Sequence, residues 1–173
     1  MCIRDSNIPN CQLNGLQQIQ NSLARVVYKA PKSCHITPIL KSLHWLKINE
    51  RIQYKLLSLT YKVLTTTKPT YLYNLISVQP PRNTRSSSVV TITRPSSSSS
   101  LKITNRSFRY ASPQLWNHLP HSFRQHPHHS LSQSLHSTPV SSSPLASSVS
   151  PYLTPSIFHS RLKTYLFHKS FPP

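Results

Sequence analysis

Apolar positions recur at steps of three and four in several stretches of the chain, and the period is lost between them. In "LNGLQQIQNSLARVVYKA", Leu16, Ile19, Leu23 and Val26 share one helical face. Arg25 and Lys29 lie near its end, where cations suit the helix dipole, and Pro31 stops it. A second helix is predicted from "HITPILKSLHWL": Thr37 as cap, Pro38 at the first helical position, and Ile39, Leu40, Leu43 and Leu46 as the apolar side. Trp45 is expected to anchor a core. The third, "INERIQYKLLSLTYKVL", has the clearest pattern. Ile48, Ile52, Leu56, Leu59 and Val63 form one stripe, and Lys47, Arg51, Lys55 and Lys62 form the stripe beside it. Asn49 is the expected cap, with Glu50 in the first turn. "KPTYLYNLI" reads as a short helix opened by Pro69.

Between Ser77 and about Arg106 the pattern collapses. "SSSVVTITRPSSSSS" holds eight Ser in fifteen residues, and "VVTIT" reads as an isolated strand with no evident partner. "RSFRYASPQLWNHLPHSFR" restores helical spacing, with Ser112-Pro113 as a cap-then-Pro start and Leu115, Trp116 and Leu119 as anchors. Gln125 to Ser160 contains no Lys, Arg, Asp or Glu and is rich in Ser, Pro and His, which is a linker by composition. In "TPSIFHSRLKTYLFHKS", Thr154-Pro155 starts a last helix whose face carries Phe158, Leu162, Tyr165 and Leu166. No longer period repeats, so no solenoid is expected. The organisation expected is a leader over 1–10, a helical region over 11–77, and a Ser-rich linker over 78–106. A short helical motif follows over 107–124, then a disordered linker over 125–154 and a C-terminal helix over 155–170. The fold class is mainly α: a small, loose helical fragment with long Ser/Pro-rich disordered segments and a separate C-terminal helix.

Composition sharpens this picture. Hydrophobic residues make up 36% of the 173 positions, with 16 Pro and a single Gly; ordinary globular chains run at roughly 45–50% apolar. Twenty Lys and Arg face two Asp and Glu, a formal charge of +18. Such a field selects polyanions, nucleic acid before an anionic membrane surface. Cys2, Cys11 and Cys34 match no metal-knuckle spacing and read as free thiols in a reducing compartment. No apolar run approaches the roughly 18 residues of a membrane span. "MCIRDS" is too short and polar for a secretory signal and resembles a translated adapter remnant.

The residue inventory also excludes chemistry. One glycine, Gly15, cannot build a glycine-rich phosphate cradle. Two-metal polymerase or nuclease sites need several carboxylates, because hard cations need anionic oxygens. With Asp5 in the leader, Glu50 alone cannot supply them, and paired-carboxylate hydrolysis fails with it. Cys34-His35 are neighbours with no acidic orienting group, and His126, His128 and His129 lie in a low-complexity segment. No cofactor, metal or small-molecule substrate is expected. The remaining candidate chemistry is the basic stripe, with Tyr54 and Tyr61 placed to stack on bases. Its plain alternative is a solvated face whose long side chains cover the core edge, with the two tyrosines in the core, where aromatics at helical spacing more often lie.

"CHITPILKSLHWLKINERIQYKLLSLTYKVL" followed by "PTYLYNLI" resembles the region after the reverse transcriptase domain in polyproteins of animal non-LTR retrotransposons (LINE elements), of the jockey-like and chicken-repeat-like groups. "LQQIQNSLARVV" resembles the helix leading out of the polymerase. "RSFRYASPQLWNHLP" and "FHSRLKTYLFHKSF" resemble the two terminal motifs, in the family's order. Lys47 departs from the family's usual Pro after "HWL". The resemblance implies a parent RNA-directed DNA polymerase whose catalytic carboxylates would precede Cys11, so no catalytic residue carries over. The expectation is a non-catalytic, basic, nucleic-acid-binding C-terminal fragment, with Arg25, Lys29, Lys41, Lys47, Arg51, Lys55 and Lys62 as phosphate contacts. The expected partners are RNA or DNA, bound without sequence preference, and the upstream polymerase domain, with no membrane. The sequence itself fixes no location; the resemblance implies an intracellular one, nuclear if the parent element is active. The alternatives are a helical segment that packs on the parent polymerase and a non-functional translated remnant of a decayed element.

Overall fold

The computed structural model describes residues 9–80, 89–96, 107–125 and 154–172. Six α-helices account for most of them: α1 (Asn10–Tyr28), α2 (Ile36–Ser42), α3 (Ile48–Thr66), α4 (Thr70–Tyr73), α5 (Phe108–Asn117) and α6 (Pro155–Ser170). A 3-10 turn, His121–Phe123, follows α5. The mainly α class is the one the periodicity predicts.

The central element is α3. It packs against α5 and α6 on one side, and α1 lies along another. The main core gathers Leu57, Tyr61 and Val63 of α3 with Leu115 and Trp116 of α5 and Phe158, Leu162 and Leu166 of α6. The Tyr61 ring stacks on Phe158 at 3.9 Å with an 8° interplanar angle. α6 is therefore separate along the chain but not in space. Its start follows the expected chemistry: Pro155 opens the helix and Thr154 Oγ1 accepts a hydrogen bond from the Ile157 amide. Phe158, Leu162 and Leu166 are buried as their spacing predicts, while Tyr165 sits at the edge against Phe123.

α3 and α5 approach closely because small residues meet. Thr60 and Ser112 share a buried hydrogen bond of 2.8 Å, and Pro113 beside them is fully buried. This corrects the expected start of α5. Ser107 precedes the helix, which runs through Pro113. Ser112 gives its hydroxyl to Thr60 instead of capping. Two other starts also move. α2 begins at Ile36, so Pro38 falls at its third position, where its missing N–H is still one of the unpaired four. α3 begins at Ile48, and the amide there is capped from outside the helix, by Gln17 Oε1 of α1 at 3.0 Å. Asn49 is not the cap.

"VVTIT" does find partners. Val89 and Ile92 form isolated antiparallel bridges with Gln125 and Val78. The Asn117 side chain accepts from the Ile92 amide and donates to its carbonyl, and Trp116 Nε1 donates to the Val90 carbonyl at 3.0 Å. Val90 and Ile92 are buried in the main core. The segment thus interrupts the expected 78–106 linker with a piece of core. The rest of that linker, 81–88 and 97–106, lies outside the described residues. So do the leader through residue 8, the linker over 126–153, Cys2 and the three histidines of "HPHH".

A second, smaller core joins α1, α2 and the end of the chain: Ala24, Ile39, Leu40 and Phe171, with Trp45 and Phe167 half-buried against it. Here α1 departs from its pattern. Leu13, Gln20 and Ala24 are buried, whereas Leu16, Ile19, Leu23 and Val26 are exposed. The inward face is rotated by roughly 100° from the aliphatic one, at 3.6 residues per turn. Gln20 Nε2 donates to the Leu46 carbonyl at 2.7 Å, Gln17 caps α3, and Ala24 lets α2 come close. Specific hydrogen bonds and a small side chain, not aliphatic bulk, dock this helix.

Candidate nucleic-acid interface

The third-helix lysines are positioned by the same geometry that builds the core. Leu57, Thr60 and Tyr61 turn one side of α3 inward, which leaves Arg51, Lys55 and Lys62 exposed on the opposite side. These three and Lys47 fall within about a quarter turn of one another and span roughly 22 Å of helix. That length matches several phosphates of a nucleic-acid backbone.

Lys47 lies at the head of this ridge. Its ammonium sits over the Phe171 ring, 5.2 Å from the centroid, and the Lys41 ammonium from α2 sits 5.9 Å from the same centroid. One cation from α2 and one from the residue before α3 thus both lie near one aromatic ring. The ring attracts each of them, but they repel one another, and Glu50 is the only Asp or Glu among the described residues. His44 stacks on Phe167 at 5.9 Å beside this point, and Lys169 Nζ donates to Gln53 Oε1 at 3.0 Å.

Of the seven expected contacts, Lys41 and Lys47 are brought together, and Arg51, Lys55 and Lys62 line up with them. Arg25 and Lys29 lie elsewhere, at the far end of α1. Arg25 is half-buried and reaches the Cys34 carbonyl at 3.4 Å, so its guanidinium closes the α1–α2 connection. Lys29 is the left-handed residue that ends α1, with its side chain in solvent. Tyr61 takes the core alternative: its ring stacks on Phe158 and is unavailable to a base. Tyr54 is half-buried against the same core. Phe171 and Lys169 join the site from outside the expected set. Phe171 lies far along the chain from Lys41 and Lys47, and only the docking of α6 brings it to them. A basic residue in the last turn of α6 was the one signal for Lys169.

Glu50 sits in the first turn of α3, where its charge complements the dipole. It lines a cleft of about 370 Å3 between α1, α2 and α3, together with Asn14, Gln17, Asn21 and Lys47. Its Oε2 is buried without a hydrogen-bond partner. Cys11 and Cys34 are free and exposed. Among the described residues no group of three His, Cys, Asp or Glu could hold a metal ion, and no helix is long and apolar enough to cross a membrane. No family model, curated protein or solved structure matches the chain.

Proposed function

We propose that this chain is a non-catalytic, electrostatic nucleic-acid-binding segment, the C-terminal part of a retrotransposon-type RNA-directed DNA polymerase polyprotein. The observation that carries the binding reading is the convergence of Lys41 and Lys47 on Phe171. They stand at the head of the Arg51–Lys55–Lys62 ridge, in a region with one carboxylate. The proposed mode is backbone contact: lysines neutralise phosphates and release counterions, without base readout. The polymerase origin rests on the motif resemblance. It is tested by reading about a kilobase of genomic DNA upstream of the Cys11 codon for a continuous frame that encodes a polymerase.

Binding is tested by fluorescence anisotropy of the full chain with labelled single-stranded RNA and duplex DNA between about 50 and 200 mM salt. Log affinity is expected to fall linearly with log salt, by roughly 0.7 to 0.9 for each phosphate neutralised. The Lys41→Ala/Lys47→Ala pair should flatten that slope by about 1.5, with little dependence on oligonucleotide sequence. Affinity that ignores salt, or a slope the pair leaves unchanged, overturns the reading.

The exposed aliphatic face of α1 favours a second reading beside the first, in which the helices also pack against the polymerase they follow or another partner. Monomeric proteins seldom leave several large aliphatic side chains together in water.

A further inference from the structure

We infer that the aliphatic face of α1 is the docking surface for an amphipathic helix of another protein, one that flanks an apolar heptad stripe with acidic side chains. The inference rests on the interaction reading above and names its partner. Leu16, Ile19, Leu23 and Val26 follow one another at steps of three, four and three, the a/d spacing of a helix–helix seam. They are 44%, 60%, 54% and 75% exposed, and Val27 beside them is 58% exposed. The face cannot roll inward, because Gln17, Gln20 and Ala24 hold the adjacent face in place through bonds to Ile48 and Leu46 and through close packing on α2. The patch therefore belongs to the folded state.

Charge selects the occupant. Arg25 is the only charged residue within α1, so the seam itself repels nothing. Its C-terminal end is bordered by Lys29 and Lys32, both exposed. The whole chain carries +18. A second copy would bring +18 against +18, and a basic helix would meet the same field. A helix with Glu or Asp beside its apolar stripe buries the seam and is drawn to the lysines at its edge.

The probe is a synthetic peptide of four heptads with Ile at a, Leu at d and Glu at e and g, labelled for anisotropy and titrated with the full chain. Its counterpart carries Lys at e and g. The Ile19→Gln/Leu23→Gln variant removes the seam. Both side chains are largely in solvent, so its circular dichroism should match the parent chain. Expected are binding of the acidic peptide at least tenfold tighter than of the basic one, and at least tenfold weakening in the variant. Oligonucleotide affinity should be unchanged in the variant. Equal binding to variant and parent would assign the peptide to the basic ridge and overturn the inference. A concentration-dependent dimer in sedimentation that the variant abolishes would give the face to a second copy, overturning the acidic partner while keeping the interaction reading. No peptide binding and no dimer would overturn both.

Discussion

Three helix ends in this chain rest on residues that dislike their own backbone conformation. Lys29, His44 and Thr67 each take φ of 54°, the left-handed region that glycine occupies most readily. The chain's one glycine, Gly15, is spent inside α1, where a Cβ would meet nothing within 4 Å. Exchanging these roles should stabilise the fold. Gly15→Ala is expected to add about 0.5–1 kcal/mol by limiting the unfolded chain. Thr67→Gly should add a comparable amount, because a β-branched residue is strained there. Urea midpoints at constant slope would check both. Tyr61 gives a prediction in pH. Burial against Phe158 raises its phenol above the ordinary value, because the phenolate would lose its hydration. The folded state thus binds the proton more tightly than the unfolded state. Its contribution is fully present below about pH 10 and is lost as pH rises past it toward the higher folded value. Tyr61→Phe should make stability flatter between about pH 9 and 11, read from denaturant midpoints across that range.

At the scale of elements, α1 shows how polar side chains can override an aliphatic pattern. Its hydrophobic stripe is regular, yet the helix docks through Gln20 and Gln17. The Gln20 amide satisfies the Leu46 carbonyl in a buried place, and removing it strands that acceptor. Gln20→Ala is expected to cost about 1–3 kcal/mol and to loosen α1 from α3. Hydrogen exchange should then rise in α1 while α3, α5 and α6 keep their protection. α6 behaves in the opposite way, since its apolar spacing and its Thr-Pro start agree with its burial. It supplies Phe158 to the main core, and its C-cap residue Phe171 joins the second one, so its docking completes both the hydrophobic interior and the lysine convergence.

For the whole molecule the dominant quantity is charge. With +18 in 173 residues, the folded state concentrates like charges that the unfolded chain spreads apart. Salt screens that repulsion, with a Debye length near 10 Å at 0.1 M. The melting temperature of the free chain is therefore expected to rise between about 0.01 and 0.2 M salt, while nucleic-acid affinity falls over the same range. Differential scanning fluorimetry and anisotropy in matched buffers would show the two opposite trends. A short oligonucleotide should raise the melting temperature at low salt and lose that effect at high salt, because ligand binding to the folded state adds stability in proportion to its affinity.

Local chemistry was enough to locate most helices. Three- and four-residue spacing, the proline stops and the Thr154-Pro155 start act within one turn of backbone, so they can be read without knowing what lies across the core. The charge imbalance and the shortage of carboxylates are likewise properties of the residues alone, legible before any fold is known. Long-range contacts decided the rest. Which face of α1 turns inward depended on Leu46 and Ile48, many residues away. The cap of α3 came from Gln17, the partner of "VVTIT" from Asn117 and Trp116, and the aromatic ring shared by Lys41 and Lys47 from the far end of the chain. Tyr61 was legible as an aromatic at helical spacing, but only the docking of α6 made it a core residue. Periodicity reports which side chains share a face. Whether that face meets protein or water is settled by hydrogen bonds and packing between elements distant in sequence.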